Sequence, residues 1–527
     1  MALQSDPKFK QSALMKVAKS TPIALIGIAI DVILVAVLAI LIARHVEQSE
    51  FGFFCLSLEI VRLLSILSGL GFPQGLPRYI AYQLGKGDYG KVWSSIVSSI
   101  CSACFLGPLF ALLLYLNAEY VSQLLHKPEF AHTIKVMALV VPCMTFVNLL
   151  VGQLRAVHEV KGGVFFQYIS RPFIGIVLMS VVMILQLSYT WVLLVYVTSF
   201  VVTLVALVIF AEGKISKHIP TRTYSPATKE ILLFSLPLLG SGILAQILMS
   251  TDTLLLGYFE PAQSVGLYSG ALRLARLIPV LSTAAAFTYL PVASELFSQN
   301  KTGEIGKVYA TITKWVFIAT MPLFLYMFFA SDSVLRLSFG SKYTGAGLTL
   351  KILSFGYLLH VAFGLNAVTC IAIGRVKLVF IMEFFAVVAN VILDIILIPK
   401  YGVVGAAITS CASLILANVL VSVFVYRYSA IHPFLKSYLR MILFLVAISI
   451  ILFLLPIKDY INHTTPGMII FFMFSLVIPV VGVVVTNAVT AEDASVIARI
   501  EERLTNNTYF SDKYLSRITN RWDNITQ

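Results

Sequence analysis

Long apolar runs separated by short polar segments fill the chain from about residue 21 to residue 488. A helix needs about 20 predominantly apolar residues to cross the hydrocarbon core of a bilayer. The runs supply fourteen such segments, at about 21–43, 51–72, 92–116, 134–154, 164–186, 189–210, 230–250, 265–290, 308–330, 350–372, 378–398, 402–426, 437–456 and 467–488. In lipid each segment has to satisfy its own backbone hydrogen bonds, so each is expected to be helical. The segment 164–186 carries Arg171-Pro172, where the missing proline N–H predicts a distorted turn. The first run follows the polar, basic "MALQSDPKFKQSALMKVAKS", is too long for a signal-peptide core, and reads as a retained span. Composition agrees: of 527 residues, 59% are hydrophobic and 12% charged, where a soluble domain carries about 25% charged residues.

The formal net charge is +13. Most Lys and Arg outside the spans fall on the set of segments that includes both termini. Only Arg44, Lys127, Arg336, Lys342, Lys400 and Lys458 fall on the other side. This asymmetry places both termini in the cytoplasm of a cell-membrane protein. It also accounts for the basic balance without nucleic acid, for which no basic, aromatic-interleaved patch exists outside the spans. The polar segment 211–230 separates two sets of six spans. The expected division is a cytoplasmic N-terminus 1–20, a first lobe 21–211, a linker 212–229, a second lobe 230–430, two further spans in 431–489, and a cytoplasmic tail 490–527. Within the tail, "AEDASVIARIEERL" can form a short amphipathic helix. Cys55, Cys101, Cys104, Cys143, Cys370 and Cys411 all lie in apolar runs and read as small buried hydrophobes.

The chain repeats itself. "EFGFFCLSLEIVRLLSILSGLGFPQGLPRYIAYQLGKGDYGKVW" (50–93) aligns with "SVGLYSGALRLARLIPVLSTAAAFTYLPVASELFSQNKTGEIGKVY" (264–309) at an offset of 214 residues. Gly52 meets Gly266, Leu76-Pro77 meets Leu290-Pro291, and Glu59 and Arg62 meet Arg273 and Arg276. Six spans separate the copies, an even number, so both copies run in the same membrane direction. The repeat predicts two six-helix lobes related about the membrane normal with a substrate site between them.

"EFGFF" followed by "LPRYIAYQLGKGDYGKV" resembles the first-lobe signature of the polysaccharide (Wzx-type) flippases, a family of the multidrug/oligosaccharidyl-lipid/polysaccharide exporter superfamily. "FSLPLLGSGILAQILMSTDTLLLGYFEPAQSVGLYS" (234–269) is similar to its second-lobe counterpart, and "NVILDIILIPKYGVVGAAITS" (390–410) to a later hairpin. The resemblance implies an all-α polytopic protein whose lobes form a V around a central cavity, with two added C-terminal helices. It implies alternating-access translocation of a polyprenyl-(pyro)phosphate-linked oligosaccharide for surface polysaccharide or glycoprotein assembly. Membrane lipids and glycan-assembly proteins are the implied partners. No cofactor is implied beyond H+ or Na+ coupling. A cation-coupled multidrug exporter, a peptidoglycan-precursor flippase and a non-transporting scaffold of glycan assembly remain alternatives.

Charges inside spans mark candidate sites, because each costs about 2.5–3.5 kcal/mol at the centre of a helix. Glu59 and Arg62, three residues apart, can neutralise each other. Asp31, alone on its span, needs an arginine of span two or eight or a proton. Asp252 lies close to the exterior end of its span, where water reaches it. Asp394 is near Lys400, and Glu383 lies a turn and a half inside the cytoplasmic face. Arg171 can bond carbonyls freed by Pro172. Arg273 and Arg276 lack any acid on their own span. Guanidinium forks hold phosphate and carboxylate bidentately. Arg62, Arg171, Arg273 and Arg276 are therefore the expected substrate-binding groups, with Asp31, Glu59, Asp252 and Glu383 as counter-charges or ion-coupling groups. No nucleotide loop, HExxH or GxSxG motif is present, which argues against an enzyme.

Overall fold

The computed structural model describes residues 7–157, 159–218, 228–455 and 465–489, together with Asp493. The expected tail helix, the middle of the 212–229 linker and the sequons at Asn462, Asn506 and Asn524 lie outside the described residues. The elements are α1 Pro7–His45, α2 Gln48–Ser68, α3 Phe72–Gly85, α4 Tyr89–Leu116, α5 Ala118–Leu124, α6 Phe130–Met137, α7 Val140–Ala156, α8 Val160–Val164, α9 Ser170–Ile184 and α10 Tyr189–His218. They continue with α11 Thr228–Phe259, α12 Ala262–Ala275, α13 Val280–Ser298, α14 Thr302–Phe329, α15 Ser331–Phe339, α16 Gly347–Phe363, α17 Asn366–Ala372, α18 Val376–Ser429, α19 Lys436–Leu454 and, as α20, Thr465–Val485. No strand occurs among the described residues. The protein is an all-α, multi-pass membrane protein.

Among the described residues, thirteen helical segments are long and apolar enough to cross a membrane. One of them, α18, holds 54 residues. At 1.5 Å per residue it would be about 80 Å long, against a core of about 30 Å. It folds back at Gly402, whose φ of 54° and ψ of −129° suit only glycine. A Cβ on Gly405 would lie 2.4 Å from the Leu397 carbonyl oxygen, so the two arms touch and make two crossings.

The run expected at 265–290 is not one helix. It breaks at residues 276–279 between α12 and α13, where Pro279 removes a donor and turns its predecessor away from helical angles. The first lobe also breaks, but about seven residues later in the repeat, between α2 and α3, through Leu70 and Gly71 at positive φ. One cysteine expectation also needs correction. Cys101 and Cys104 are exposed on α4, and all six thiols are free.

The repeat seen in the sequence extends through the elements. α1 ends at His45 and α11 at Phe259, while α4 and α14 are both 28 residues long. The two copies meet where α2 crosses α12. A Cβ on Gly52 would fall 1.9 Å from the Ala262 carbonyl oxygen, and one on Gly266 would fall 2.4 Å from that of Gln48. Small residues give packed membrane helices this close backbone approach. The same end is tied by Arg44 Nε donating to the Ser338 carbonyl at 2.7 Å, and by Lys127 Nζ donating to the Gly257 carbonyl. At the other end Glu230 of α11 accepts from Tyr79 Oη and Lys91 Nζ, each at 3.0 Å.

The chain after α20 returns to the second copy. Lys314 Nζ of α14, almost fully buried, pairs with the buried carboxylate of Asp493 and donates to the Ala488 carbonyl at 2.8 Å. Trp315 Nε1 donates to the other Asp493 oxygen at 2.8 Å.

Because neither glycine at the crossing has room for a side chain, Gly266→Val is expected to destabilise the protein by about 1–3 kcal/mol, the usual cost of overpacking. Gly240→Ala, in open space on α11, is expected to leave the thermal midpoint in detergent unchanged or higher. Equal midpoints for Gly266→Val and the wild type would contradict the close crossing.

Candidate functional site

The break after α12 puts Arg276 at the helix C-cap and leaves Arg273 in the last helical turn. On the facing α2, Glu59 and Arg62 occupy the related turns. α9 contributes Arg171 just after a widened π turn at Phe165–Ile169. That turn is the distortion expected near Pro172. Its extra residue rotates the rest of the helix by about 100° relative to regular spacing.

Three of the expected arginines converge. Arg62, Arg171 and Arg273 line one small cavity with Leu58, Tyr196 and α1 residues such as Val35 and Leu38. The cavity measures about 20 Å³, room for about one water. Arg62 Nη1 donates to Glu59 Oε1 at 2.7 Å. The other carboxylate oxygen of buried Glu59 accepts from Ser250 Oγ at 2.7 Å and Gln246 Nε2 at 3.1 Å, both on α11. Glu59 is thus a tether between the copies as well as a counter-charge. Arg171 Nη1 donates to Tyr196 Oη at 2.9 Å, and its guanidinium carbon lies 5.2 Å from the Phe200 ring centroid, a cation–π arrangement. Asp31 lies within electrostatic reach of Arg171 and Arg62, and its Oδ1 is buried without a hydrogen-bond partner.

Of these four arginines, Arg273 is the least satisfied among the described residues. A guanidinium carries five N–H donors, yet the contacts here are Cys55 Sγ at 3.7 Å and the Phe51 ring at 6.0 Å, and Nε is buried with no partner. Arg276 points elsewhere. Its Nη2 donates to the Met249 carbonyl at 3.3 Å and approaches the Met249 sulfur, Tyr357 is beside it, and Nε again lacks a partner. The structure therefore places Arg273, not the pair, in the common cavity.

The remaining acids separate from this cluster. Asp252, expected to be wet, is instead only 7% exposed. It accepts from Tyr268 Oη at 2.7 Å, Asn390 Nδ2 at 3.0 Å and Ser410 Oγ. Asp394 has no ion pair with Lys400 among the described residues. It is fully buried, accepts from Thr409 Oγ1 and faces Asp252. The two carboxylates form one dry polar node inside the second copy, and none of the residues bonded to them lines the arginine cavity. Glu383 is exposed on α18 beside exposed Phe384 and Phe385 and joins neither group.

Sequence reasoning missed the neutral partners: Gln246 and Ser250 for Glu59, and Tyr268, Asn390, Thr409 and Ser410 for the acidic node. One signal was present. Gln246 with Ser250, and Asn390 with Asp394, are polar pairs four apart on otherwise apolar spans, hence on one helix face.

The double role of Glu59 has a measurable consequence. Glu59→Ala is expected to lower the thermal midpoint in detergent more than Arg62→Ala, because Ser250 and Gln246 also lose their acceptor. The double variant is expected to be little worse than Glu59→Ala, the non-additivity of contacting residues. Equal, additive single effects would contradict this arrangement.

The sequence profile of the polysaccharide biosynthesis protein family matches residues 17–297, and that of the MatE family matches residues 237–396. An uncharacterized membrane protein of Methanocaldococcus jannaschii is 23% identical over 407 residues, 70% of this chain and 76% of that protein. The probable low-salt glycan biosynthesis flippase Agl15 of Haloferax volcanii is 29% identical over 169 residues, 32% of this chain and 36% of that protein. Among solved structures, the lipid II flippase MurJ in an inward closed conformation matches with a TM-score of 0.65 at 15% identity, over 90% of this chain and 97% of that one. That likeness is one of fold. Because the first profile covers more than half of its length, the chain belongs to the polysaccharide biosynthesis protein family.

Proposed function

We propose that the protein is a flippase that moves a lipid-linked oligosaccharide, joined to its polyprenol through phosphate or pyrophosphate, from the cytoplasmic to the exterior leaflet of the cell membrane. The observation that carries this reading is the charge of the interior cavity. Arg62, Arg171 and Arg273 line it, Arg276 lies three residues from Arg273, and Glu59 and Asp31 are the nearby acids. Three permanent cations lining the cavity against two carboxylates leave an excess that an anionic headgroup would neutralise. Guanidinium geometry suits phosphate oxygens. The relation to a protein named as a glycan biosynthesis flippase supports the substrate class.

In this reading the lobes rock about the crossing of α2 with α12, and the cavity widens to admit the headgroup while the polyprenol stays in the bilayer. Arg273, with its donors least satisfied, is the first ligand of the phosphate. Arg171 and Arg62 follow as the cavity opens. The buried acidic node at Asp252 and Asp394 is the ion-coupling element. Two facing carboxylates without a cationic partner among the described residues need a proton or a monovalent cation to offset their burial.

The test is translocation of a fluorescent polyprenyl-pyrophosphate oligosaccharide in proteoliposomes. Arg273→Ala/Arg276→Ala is expected to lose at least about tenfold in rate, the scale set by one lost charge-assisted contact, while its thermal midpoint stays near that of the wild type. Unchanged flipping by a folded double variant would overturn the site. Export of organic cations with no glycolipid movement would select a multidrug exporter instead. Asp252→Asn is expected to abolish the dependence of transport on an ion gradient while headgroup binding persists. Loss of binding in that variant would contradict a coupling role.

A further inference from the structure

A second cavity, with no residue in common with the arginine site, lies where α18 ends and α19 begins. Its volume is about 450 Å³, within the range of about 300–1,000 Å³ typical of small-molecule sites. The walls are apolar. Tyr309 of α14 and Phe363 of α16 form one side, Val419 and Val423 of α18 the other, and Phe434 closes the end next to α19. The Tyr309 hydroxyl does not make this wall polar, since it donates to the Phe363 carbonyl at 2.5 Å. Val419 and Val423 are also among the exposed apolar residues of α18, so the cavity is continuous with the lipid-facing surface of that helix. In a bilayer an apolar cleft of this kind fills with hydrocarbon, not water.

Its rim is basic. Arg427 stands in the last turn of α18, exposed and without an ion pair among the described residues, and His432 lies in the following loop with its ring 5.7 Å from that of Tyr426. Lys436 and Arg440 begin α19 directly afterwards. The local charge is therefore positive where the helices leave the membrane, above a cleft whose walls are hydrocarbon. Basic pockets between membrane helices at such a boundary hold the headgroups of anionic lipids.

We propose that this cleft is a binding site for an anionic phospholipid, with an acyl chain between α14, α16 and α18 and the phosphate held by Arg427 and His432. The site joins the second copy to α19, and its occupant would fill the seam between them. It is independent of the transported substrate, which the arginine cavity addresses.

The test is native mass spectrometry of the full chain in detergent, titrated with phosphatidylglycerol and, separately, phosphatidylethanolamine. The wild type is expected to retain phosphatidylglycerol preferentially. Arg427→Gln/His432→Gln is expected to reduce that retention by about 30-fold, the scale of two interfacial basic residues, to the level of phosphatidylethanolamine. Val423→Trp, which fills the cleft, is expected to release both lipids, and the rim variant alone decides the matter if Val423→Trp does not fold. Three results would overturn the proposal: equal binding of the two lipids by the wild type, an undiminished preference in the rim variant, or displacement of phosphatidylglycerol by polyprenyl phosphate at equal concentration.

Discussion

An arginine inside a membrane keeps its charge, and the arrangement of groups around the candidate site follows from that constraint. A guanidinium does not shed its proton at ordinary pH, so each one buried among apolar helices must find an acid, an aromatic face, a carbonyl or a ligand. Arg62 finds Glu59 at 2.7 Å. Arg171 finds Tyr196 and Phe200. Arg276 finds the Met249 carbonyl at the break in its helix. Among the described residues, Arg273 has a thiol and the Phe51 ring. The order of satisfaction is also the order in which these groups are spoken for by the protein itself.

Repetition and its failure together set up this arrangement. The two copies place α2 and α12 across from each other, touching through Gly52 and Gly266. At the related positions the first copy carries Glu59 and Arg62 and the second carries Arg273 and Arg276. A neutral pair therefore faces an unbalanced one. Glu59 reinforces the asymmetry by reaching across to Ser250 and Gln246, which leaves it fewer free lone pairs for any other cation. The second copy keeps its own carboxylates, Asp252 and Asp394, buried with Tyr268, Asn390, Thr409 and Ser410. The arginines of α2, α9 and α12 and the carboxylates of α11 and α18 thereby sit on different helices.

Much of the fold was legible because lipid leaves the chain few options. Apolar runs of about 20 residues, a basic excess on one set of loops and a repeat at 214 residues sufficed for an all-α, many-span protein of two related sets. The break at 276–279 was not read, because hydropathy is insensitive to a turn inside an apolar run, although Pro279 marked it. The candidate site was legible in its charged members. Glu59 with Arg62 could be read from spacing and the distorted turn beside Arg171 from Pro172, but Arg171 bonds Tyr196 and stacks on Phe200 rather than on the freed carbonyls expected of it. The burial of Asp252 could not, because it depends on Tyr268, Asn390 and Ser410 from three other stretches of sequence. Arg276 turned away from Arg273 for a similar reason: the helix ends between them, and the regular three-residue spacing no longer fixes their directions.

The account rests on the interior cavity being a site for a negatively charged headgroup. The most direct measurement is the equilibrium affinity of the purified wild-type protein for a polyprenyl pyrophosphate against the uncharged polyprenol of the same length. The lipid tails are identical, so the difference isolates the headgroup. A cationic cavity should bind the pyrophosphate at least about tenfold more tightly, the equivalent of about 1.4 kcal/mol, and the difference should shrink as salt is raised. Equal affinities at low salt would contradict the claim.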